Sequence, residues 1–409
     1  MVYRAYEMRR GLAAPVFGLA RLQTHLLRSL PSRAAESLAI RTLRAIPETV
    51  ATLELTHRRP SFKIESVSVD GRDVAVDEEV IASTPFGTLL HFRKATDSDQ
   101  PRILVVPAMA GHFATLIRGT LRTLLPDHDV FVADWHNARD VPTDAGAFGL
   151  DEYIAHVIEF LDAIGPGAHL MAVCQPCAAV VAAASLMAED EHPAQPASLI
   201  LMAGPIDARV NPGRVNDFAT KASLRSLERK FVTTVPRPYK GAGRKVYPGF
   251  LQALAFIGLA PERHISAFVR LPGDIVRGAD AAATRTKEFY EEYFAVLDAT
   301  AEFYLETARA VFKDHDLARG ELSWRGRRVN PAAISTALLT IEAENDELCP
   351  PGQTRAAHVL CTGIPSERKQ HHLQAGVGHY GVFSGTRFER EIYPIIREFV
   401  AANGPIAVA

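Results

Sequence analysis

The chain has 409 residues, of which 47% are apolar, 22% charged and 8% aromatic. This composition is typical of a globular protein that buries a large core, and it excludes disordered, collagen-like and low-complexity chains. The 45 Lys and Arg residues against 47 Asp and Glu residues give a net charge of −2, so attraction of the whole molecule to nucleic acid is not expected.

The N-terminal segment, residues 1–60, is basic, with ten arginines against four glutamates and therefore a net charge of +6. Its leucines recur at helical spacing, and Pro31 and Pro47 interrupt the pattern, so we expect two amphipathic basic helices. Two alternatives stay open for them: helices that cap the next domain, or an anchor on a hydrophobic or anionic particle surface.

No apolar run reaches the ~18 residues that a membrane-spanning helix needs. Arginines also interrupt every candidate signal core near the start, so we expect an uncleaved, cytoplasmic protein. The sequence holds too few cysteines for a disulfide scaffold, and as thiols they favour a reducing compartment: Cys174, Cys177, Cys349 and Cys361.

From residue 61 the apolar pattern changes to that of strands. Two alternating runs flank Asp70-Gly71, which predicts a hairpin, and Thr88–Phe92 is a third candidate strand. Short continuous apolar runs then alternate with helical segments, a pattern typical of a mostly parallel sheet with helices on both faces. The predicted runs are 102–106, 130–133, 169–173, 198–202 and 337–341, and the predicted helices include 150–164, 178–187 and 388–401.

The strand pattern stops over residues 211–331, which are rich in Phe and Tyr and read as mostly helical, for example over 286–312. A helical insertion in an α/β sheet is typical of a lid over the site at the strand ends. We therefore predict four segments: N-terminal helices 1–60, first core part 61–210, helical lid 211–331 and second core part 332–409.

A candidate nucleophile lies in Ala172-Val173-Cys174-Gln175-Pro176, between an apolar strand and an Ala-rich helix. In α/β-hydrolases the nucleophile sits on such a turn, usually flanked by glycines, and the acid and the histidine follow in that chain order. Ala172 and Pro176 replace the glycines, so a buried structural cysteine is an equally good local interpretation of Cys174. Cys177, one helical turn later, is expected in the core.

The later motifs supply an acid and a base. Asp346 follows the 337–341 strand and is better placed than Glu342 or Glu344, which lie nearer the strand itself. His379 lies in the glycine-rich loop 376–381, before the last predicted helix. Asp346 would then orient the ring of His379 and stabilise its charged form.

Two backbone N–H groups are expected to hold an oxyanion, those of Gln175 and Met109. Neither a Walker-type phosphate loop nor a glycine-rich dinucleotide fingerprint is present, so no cofactor is expected. The cysteines lack zinc-site spacing, and no metal is expected either. Candidates to line the substrate site are His112, Trp135, Arg139 and Tyr380, although Trp135 and Arg139 could instead brace a loop.

Six segments taken together resemble the intracellular polyhydroxyalkanoate (polyhydroxybutyrate) depolymerase family. They run in order over nearly the whole chain: Asp134–Pro142, Val173–Pro176, Val246–Gln252, Ala301–Leu305, Glu344–Asp346 followed by Gly352–Thr354, and Val377–Phe383. The resemblance implies an α/β-hydrolase fold with a cysteine nucleophile, Cys174, assisted by His379 and Asp346.

The same resemblance implies hydrolysis of poly(3-hydroxybutyrate) in amorphous cytoplasmic granules, with the polymer or granule surface as the partner and 3-hydroxybutyrate monomer and oligomers as products. Three alternatives stay open: a synthase-like acyltransferase, a thiolytic enzyme that passes the acyl group to coenzyme A, and a non-catalytic granule-binding protein. The sequence also leaves open whether the chain forms a homo-oligomer.

Overall fold

The computed structural model describes residues 2–96 and 99–404. Residues 1, 97–98 and 405–409, which the predicted segments include, lie outside the described residues.

Most strands join one nine-stranded sheet, in the order β1-β2-β3-β5-β4-β6-β7-β13-β14. In chain order the strands are β1 Ser66–Val69, β2 Arg72–Ser83, β3 Gly87–Lys94, β4 Arg102–Val106, β5 Asp129–Trp135, β6 His169–Val173, β7 Ser198–Met202, β8 Thr233–Thr234, β9 Lys245–Tyr247, β10 Ala299–Thr300, β11 Ser323–Trp324, β12 Arg327–Arg328, β13 Ala337–Ala343 and β14 Lys369–Gln374.

The sheet begins antiparallel and continues parallel. β1, β2, β3 and β5 pair antiparallel in turn, with the predicted turn at Asp70 and Gly71 between β1 and β2. The pairs from β5 through β4, β6, β7 and β13 to β14 are all parallel. This strand order is that of the α/β-hydrolase fold, so the predicted fold class is confirmed.

Helices cover both faces of the sheet. The helices are α1 Val2–Arg28, α2 Ser32–Ala35, α3 Leu38–Thr52, α4 Arg118–Leu124, α5 Leu150–Ile164, α6 Cys177–Glu189, α7 Arg214–Lys221, α8 Leu224–Phe231, α9 Gly249–Leu259, α10 Pro261–Arg277, α11 Asp280–Tyr293, α12 Ala301–Thr307, α13 Asp316–Arg319, α14 Ala357–Leu360 and α15 Tyr393–Ala402. Val157 and Val181 belong to the core on one face, and Leu121 and Ile396 to the core on the other. Strands β6 and β7 lie between the two cores and are buried along their whole length.

The chain between β7 and β13 carries α7 to α13, and β8, β9 and β10 form a separate three-stranded sheet there. The continuous helix predicted over 286–312 is wrong. Helix α11 ends at Tyr293, and Ala299–Thr300 pairs with β9 before α12 begins. The Thr300 side chain caps α12 by accepting a hydrogen bond from the Phe303 N–H, so the aromatic-rich segment turns back over the sheet.

Two long helices, α1 and α3, occupy the N-terminal segment. The interruption predicted at Pro31 lies between α1 and α2, but the one predicted at Pro47 is wrong because α3 continues through this proline to Thr52. The start of α1 is fixed to the rest of the protein by Tyr3, which is buried and donates a hydrogen bond to Asp298 Oδ2 at 2.6 Å. Over the described residues, none of the helices has the length and apolar character needed to span a membrane.

Candidate active site

Cys174 lies at the sharp turn between β6 and α6. Its φ angle is +70°, in the left-handed region that non-glycine residues rarely adopt. The Cys174 N–H donates a hydrogen bond to the Met202 carbonyl at 2.8 Å, which fixes the turn against the end of β7. The half-buried Cys174 is the most accessible of the four cysteines, all of which are free thiols.

The turn forms without flanking glycines because a glycine on the neighbouring strand end makes room for it. A side chain at Gly204 would overlap the Cys174 carbonyl oxygen and the Cys177 sulfur. Ala172 is accommodated in the buried end of β6, and Pro176 takes the position before α6, where no N–H is needed. The space that glycines at positions 172 and 176 usually give such a turn is therefore provided here by Gly204.

The remaining three cysteines are buried, and burial raises the pKa of each thiol: Cys177, Cys349 and Cys361. A thiol must ionise to act as a nucleophile. Their environments therefore oppose that role.

His379, from the glycine-rich loop, and Asp346, from the loop after β13, meet beside Cys174. His379 Nδ1 lies 2.8 Å from Asp346 Oδ2, and both side chains are buried. The other carboxylate oxygen, Asp346 Oδ1, accepts hydrogen bonds from the N–H groups of Leu348 at 2.8 Å and Cys349 at 2.9 Å. The carboxylate is thus held on both sides, and it fixes the orientation of the His379 ring.

The charged form of His379 is favoured. Burial alone lowers its pKa, but the neighbouring Cys174 and the hydrogen-bonded carboxylate of Asp346 outweigh burial and raise the pKa well above its ordinary value. A ring placed between a thiol and a carboxylate can take the thiol proton and keep it as an imidazolium.

Glu342, inside β13, and Glu344, just after it, hold loops. Glu342 is buried and accepts hydrogen bonds from the N–H groups of Gly352, Thr354 and Arg355. Glu344 accepts one from the Gly376 N–H at 2.7 Å, at the start of the loop that carries His379.

The predicted oxyanion donors lie on adjacent loops, and Met109 and Gln175 line the same cavity as Cys174. In this structure the Met109 N–H donates to the side-chain oxygen of Gln175, Oε1, at 3.2 Å. The side-chain amide oxygen of Gln175 therefore occupies the acceptor position at the Met109 N–H, a group that the sequence predicts as an oxyanion donor. Sequence reasoning selected Gln175 for its backbone and missed this role of its side chain.

A large apolar cavity of about 440 Å³ opens beside Cys174 and His379. Its walls come mainly from the segment 211–331, which supplies seven aromatic rings: Phe218, Phe231, Tyr247, Phe256, Phe303, Tyr304 and Phe312. Phe218 and Phe231 were not singled out from the sequence, and the amphipathic pattern of the short helices α7 and α8 is the signal that could have found them. Other aromatics of the segment, such as Phe268, Tyr290 and Phe294, pack against one another away from this cavity.

A second, smaller cavity of about 50 Å³ also reaches Cys174 and His379. It lies under the loop that follows β4, and two of the predicted lining residues, His112 and Tyr380, contribute to its wall.

The structure does not bring Trp135 and Arg139 to either cavity. Trp135 is buried and its Nε1–H donates to the Pro107 carbonyl at 3.2 Å, so it braces the start of the Met109 loop. Arg139 is buried under the ring of Tyr239, 4.1 Å from its centroid, and lies 3.5 Å from Glu7 on α1.

Comparison with known proteins finds a family match in the second half of the chain. Residues 203–404 match the family model described as PHB de-polymerase C-terminus. This range contains Asp346 and His379, as well as the helices over the large cavity, whereas Cys174 lies outside it.

A segment of 105 residues is 26% identical to the poly(3-hydroxyalkanoate) polymerase subunit PhaC of Haloferax mediterranei. The match covers 26% of this chain and only 20% of that relative.

Similar solved structures include a putative lipase from Acinetobacter baumannii, with 11% identity and a TM-score of 0.44 over 80% of this chain and 93% of that one. A thermophilic esterase from Thermogutta terrifontis has 15% identity and a TM-score of 0.42 over 82% and 97%. The strand order gives the chain an α/β-hydrolase fold, and its residues 203–404 are similar to the C-terminal part of PHB depolymerases.

Proposed function

We propose that this protein is an intracellular depolymerase that hydrolyses the ester bonds of poly(3-hydroxybutyrate) in cytoplasmic granules. The observation that carries the proposal is the position of His379, between Asp346 and Cys174 and at the wall of an apolar cavity. The match of residues 203–404 to the depolymerase C-terminus supports the choice of polyester as the substrate.

The first half of the proposed reaction forms an acyl-enzyme. His379 takes the proton of the Cys174 thiol, and the thiolate attacks the carbonyl carbon of a polymer ester. The N–H groups of Met109 and Gln175 stabilise the negative charge on the carbonyl oxygen. The ester C–O bond then breaks, and His379 returns its proton to the leaving alkoxide, which departs as a hydroxyl end of the polymer.

The second half regenerates the thiol. His379 removes a proton from a water molecule, and the resulting hydroxide attacks the thioester carbonyl. The C–S bond breaks, the carboxylic acid leaves and Cys174 recovers its proton. Asp346 keeps the ring in the orientation that both halves need, and no metal or cofactor takes part.

The large cavity suits an uncharged polyester. Aromatic and aliphatic side chains dominate its wall, and the catalytic candidates are reached from it directly. A chain of ester groups carries no charge and presents methyl groups along its length, so burial in this cavity costs little desolvation.

The exposed face of α1 supports attachment to the granule. Its apolar residues recur every three or four positions and stay in contact with solvent, among them Met8 at 68% and Leu12 at 76% exposure: Met8, Leu12, Val16, Leu19, Leu22 and Leu26. Such a face, bordered by arginines, is typical of helices that lie on an apolar surface. The opposite face packs on α3, so anchoring and capping are compatible roles of the same helix.

The similarity to a polymerase subunit favours a second candidate, a synthase-like acyl transfer from hydroxyacyl-coenzyme A to polymer. Thiolysis by coenzyme A is a variant of the depolymerase, since a thioester on Cys174 could pass its acyl group to another thiol. A non-catalytic granule-binding protein would need none of the arrangement around His379.

One set of incubations separates these functions. The purified protein is mixed with amorphous polymer granules, with and without coenzyme A, and separately with 3-hydroxybutyryl-coenzyme A. The proposal predicts release of 3-hydroxybutyrate and its oligomers from granules without coenzyme A. Polymer growth would establish the synthase, acyl-coenzyme A formation the thiolytic enzyme, and granule binding without any product the binding protein.

A further inference from the structure

The smaller of the two cavities at Cys174 is closed by the sheet on one side. Its wall combines the loop after β4 with the turn that follows His379, and apolar side chains limit its size: Phe113, Leu116, Ile117, Val173 and Phe383. Its volume of about 50 Å³ has room for roughly three to five water-sized groups. A 3-hydroxybutyryl unit has four non-hydrogen atoms beyond its carbonyl group, so one such unit fits and a longer chain does not.

His112 is the one imidazole besides His379 on this wall. The ring is 5% exposed and lies against Tyr293, with 4.9 Å between the ring centroids. Among the described residues, Nε2 of His112 has no hydrogen-bond partner. A buried polar atom without a partner is costly, and it is most often matched by a ligand or a water.

The ring of His112 is neutral at physiological pH. Burial lowers its pKa to about 4, although the backbone of Ala110 and of Tyr293 acts in the opposite direction. A neutral imidazole nitrogen can accept a hydrogen bond from a hydroxyl group or donate one to it, depending on the tautomer. It offers no charge that would attract a free carboxylate.

We infer that the small cavity binds the terminal 3-hydroxyacyl unit of the chain, with its free hydroxyl on the imidazole ring of His112. This assignment rests on the proposed function and deepens it. The carbonyl of the terminal unit then lies at Cys174, and the leaving alkoxide carries the rest of the polymer into the large cavity.

The direction of cleavage follows from the sizes of the two cavities. An internal unit continues through a further ester at its 3-oxygen, and the small cavity has no space for that continuation. A chain bound in this way is cleaved at its hydroxyl end and releases one 3-hydroxyacid for that turnover.

Two p-nitrophenyl esters test the assignment, since p-nitrophenyl 3-hydroxybutyrate and p-nitrophenyl butyrate differ only in the hydroxyl group. The wild type is expected to favour the hydroxylated ester in kcat/KM by about tenfold or more. His112→Phe should remove most of this preference, because the phenyl ring fills the same space without a polar atom. His112→Gln, which keeps a polar group, should retain part of it.

His264→Phe is the matched control, because His264 is also buried and packs on Tyr293, at 5.1 Å between ring centroids, but lies outside the small cavity. Its preference ratio should equal that of the wild type. As a second variant, Leu116→Ala enlarges the cavity, and it should move the best acyl length from butyrate towards hexanoate by about tenfold in relative kcat/KM.

The outcomes distinguish a failure of the cavity assignment from a failure of the proposed function. Hydrolysis of both esters with equal efficiency, or an equal loss on both in His112→Phe, would overturn the assignment of His112 and leave the esterase activity standing. An unchanged acyl-length profile in Leu116→Ala would overturn the assignment of the cavity. Failure of the wild type to hydrolyse either ester would overturn the proposed function together with this inference.

Discussion

The backbone N–H of Met109 donates a hydrogen bond of 3.2 Å to the side-chain oxygen of Gln175, the residue that follows the candidate nucleophile. In the proposed mechanism an ester oxygen binds at this N–H group, so substrate must displace the amide oxygen before Cys174 reacts. Without substrate, the Met109 N–H already donates to a carbonyl-type oxygen. This agrees with an oxyanion site whose donors are in position before substrate binds.

Replacing Gln175 should change the affinity for substrate. Gln175→Ala removes the competing oxygen, and KM for p-nitrophenyl butyrate should fall by about two- to tenfold, because an exchanged hydrogen bond is worth about 0.5–1.5 kcal/mol. Gln175→Glu should raise KM instead, since a carboxylate competes more strongly for the Met109 N–H. Equal KM values in both variants would show that moving the Gln175 side chain away from the Met109 N–H costs no measurable free energy.

Asp346→Asn should lower kcat by about 10³- to 10⁴-fold with little effect on KM. An amide in this place still accepts from the Leu348 and Cys349 N–H groups, but its NH₂ group faces His379 Nδ1 and favours the wrong tautomer. Glu344→Gln, which alters a carboxylate on the same loop, is the control and should keep most of the activity. A comparable loss in both variants would indicate a structural role for Asp346.

Polar residues on the exposed face of α1 should weaken granule binding. The pair Leu12→Gln and Leu19→Gln removes two exposed leucines, and sedimentation with granules should show a dissociation constant about tenfold higher. Val359→Gln serves as the control, because Val359 is also 76% exposed but lies on α14. Unchanged binding of the double variant would leave α1 with its capping role alone.

The junction between α1 and the lid should respond to pH through Asp298. Burial raises its pKa to about 6, against hydrogen bonds from Tyr3 and the Gly249 N–H, which lower it. The folded protein therefore binds this proton more tightly than the unfolded chain, whose carboxyl keeps the ordinary value of 3.8. The contribution of Asp298 to stability is full below pH 3.8 and falls as the pH rises through about 6.

Asp298→Asn removes this titrating carboxyl group. His57, whose Nδ1 lies 3.7 Å from Asp298 Oδ1, remains in both proteins; burial lowers its pKa to about 2, so it responds to pH with the opposite sign. Urea unfolding of both proteins between pH 4 and pH 7 should show the wild type losing stability relative to the variant as the pH rises. If the free energies of unfolding of the two proteins differ by the same amount at every pH in this interval, Asp298 does not bind its proton more tightly in the folded protein.

The elements that carry the chemistry could be predicted because their signals are local. An apolar strand followed by an Ala-rich helix located Cys174, the position after a predicted strand located Asp346, and a glycine-rich loop before the last helix located His379. The alternation of such strands and helices also predicted the mostly parallel sheet, although not the order of its strands.

Features that depend on distant partners could not be predicted in this way. Gly204 makes room for the turn at Cys174 from another strand, and Pro47 is tolerated inside α3. Trp135 and Arg139 followed a strand end just as the catalytic candidates did, but packing turned them toward Pro107 and Tyr239. The boundaries of the four predicted segments stay predictions.

The central claim, that Cys174 forms the acyl-enzyme, can be tested by trapping that species. The protein is mixed with p-nitrophenyl 3-hydroxybutyrate, quenched in acid during the first turnover, digested and analysed by mass spectrometry. We predict that the peptide containing Cys174 gains the mass of one hydroxybutyryl group and that neither Cys174→Ala nor the heat-unfolded wild type shows this gain. An acyl group on a different residue, with activity retained in Cys174→Ala, would contradict the account.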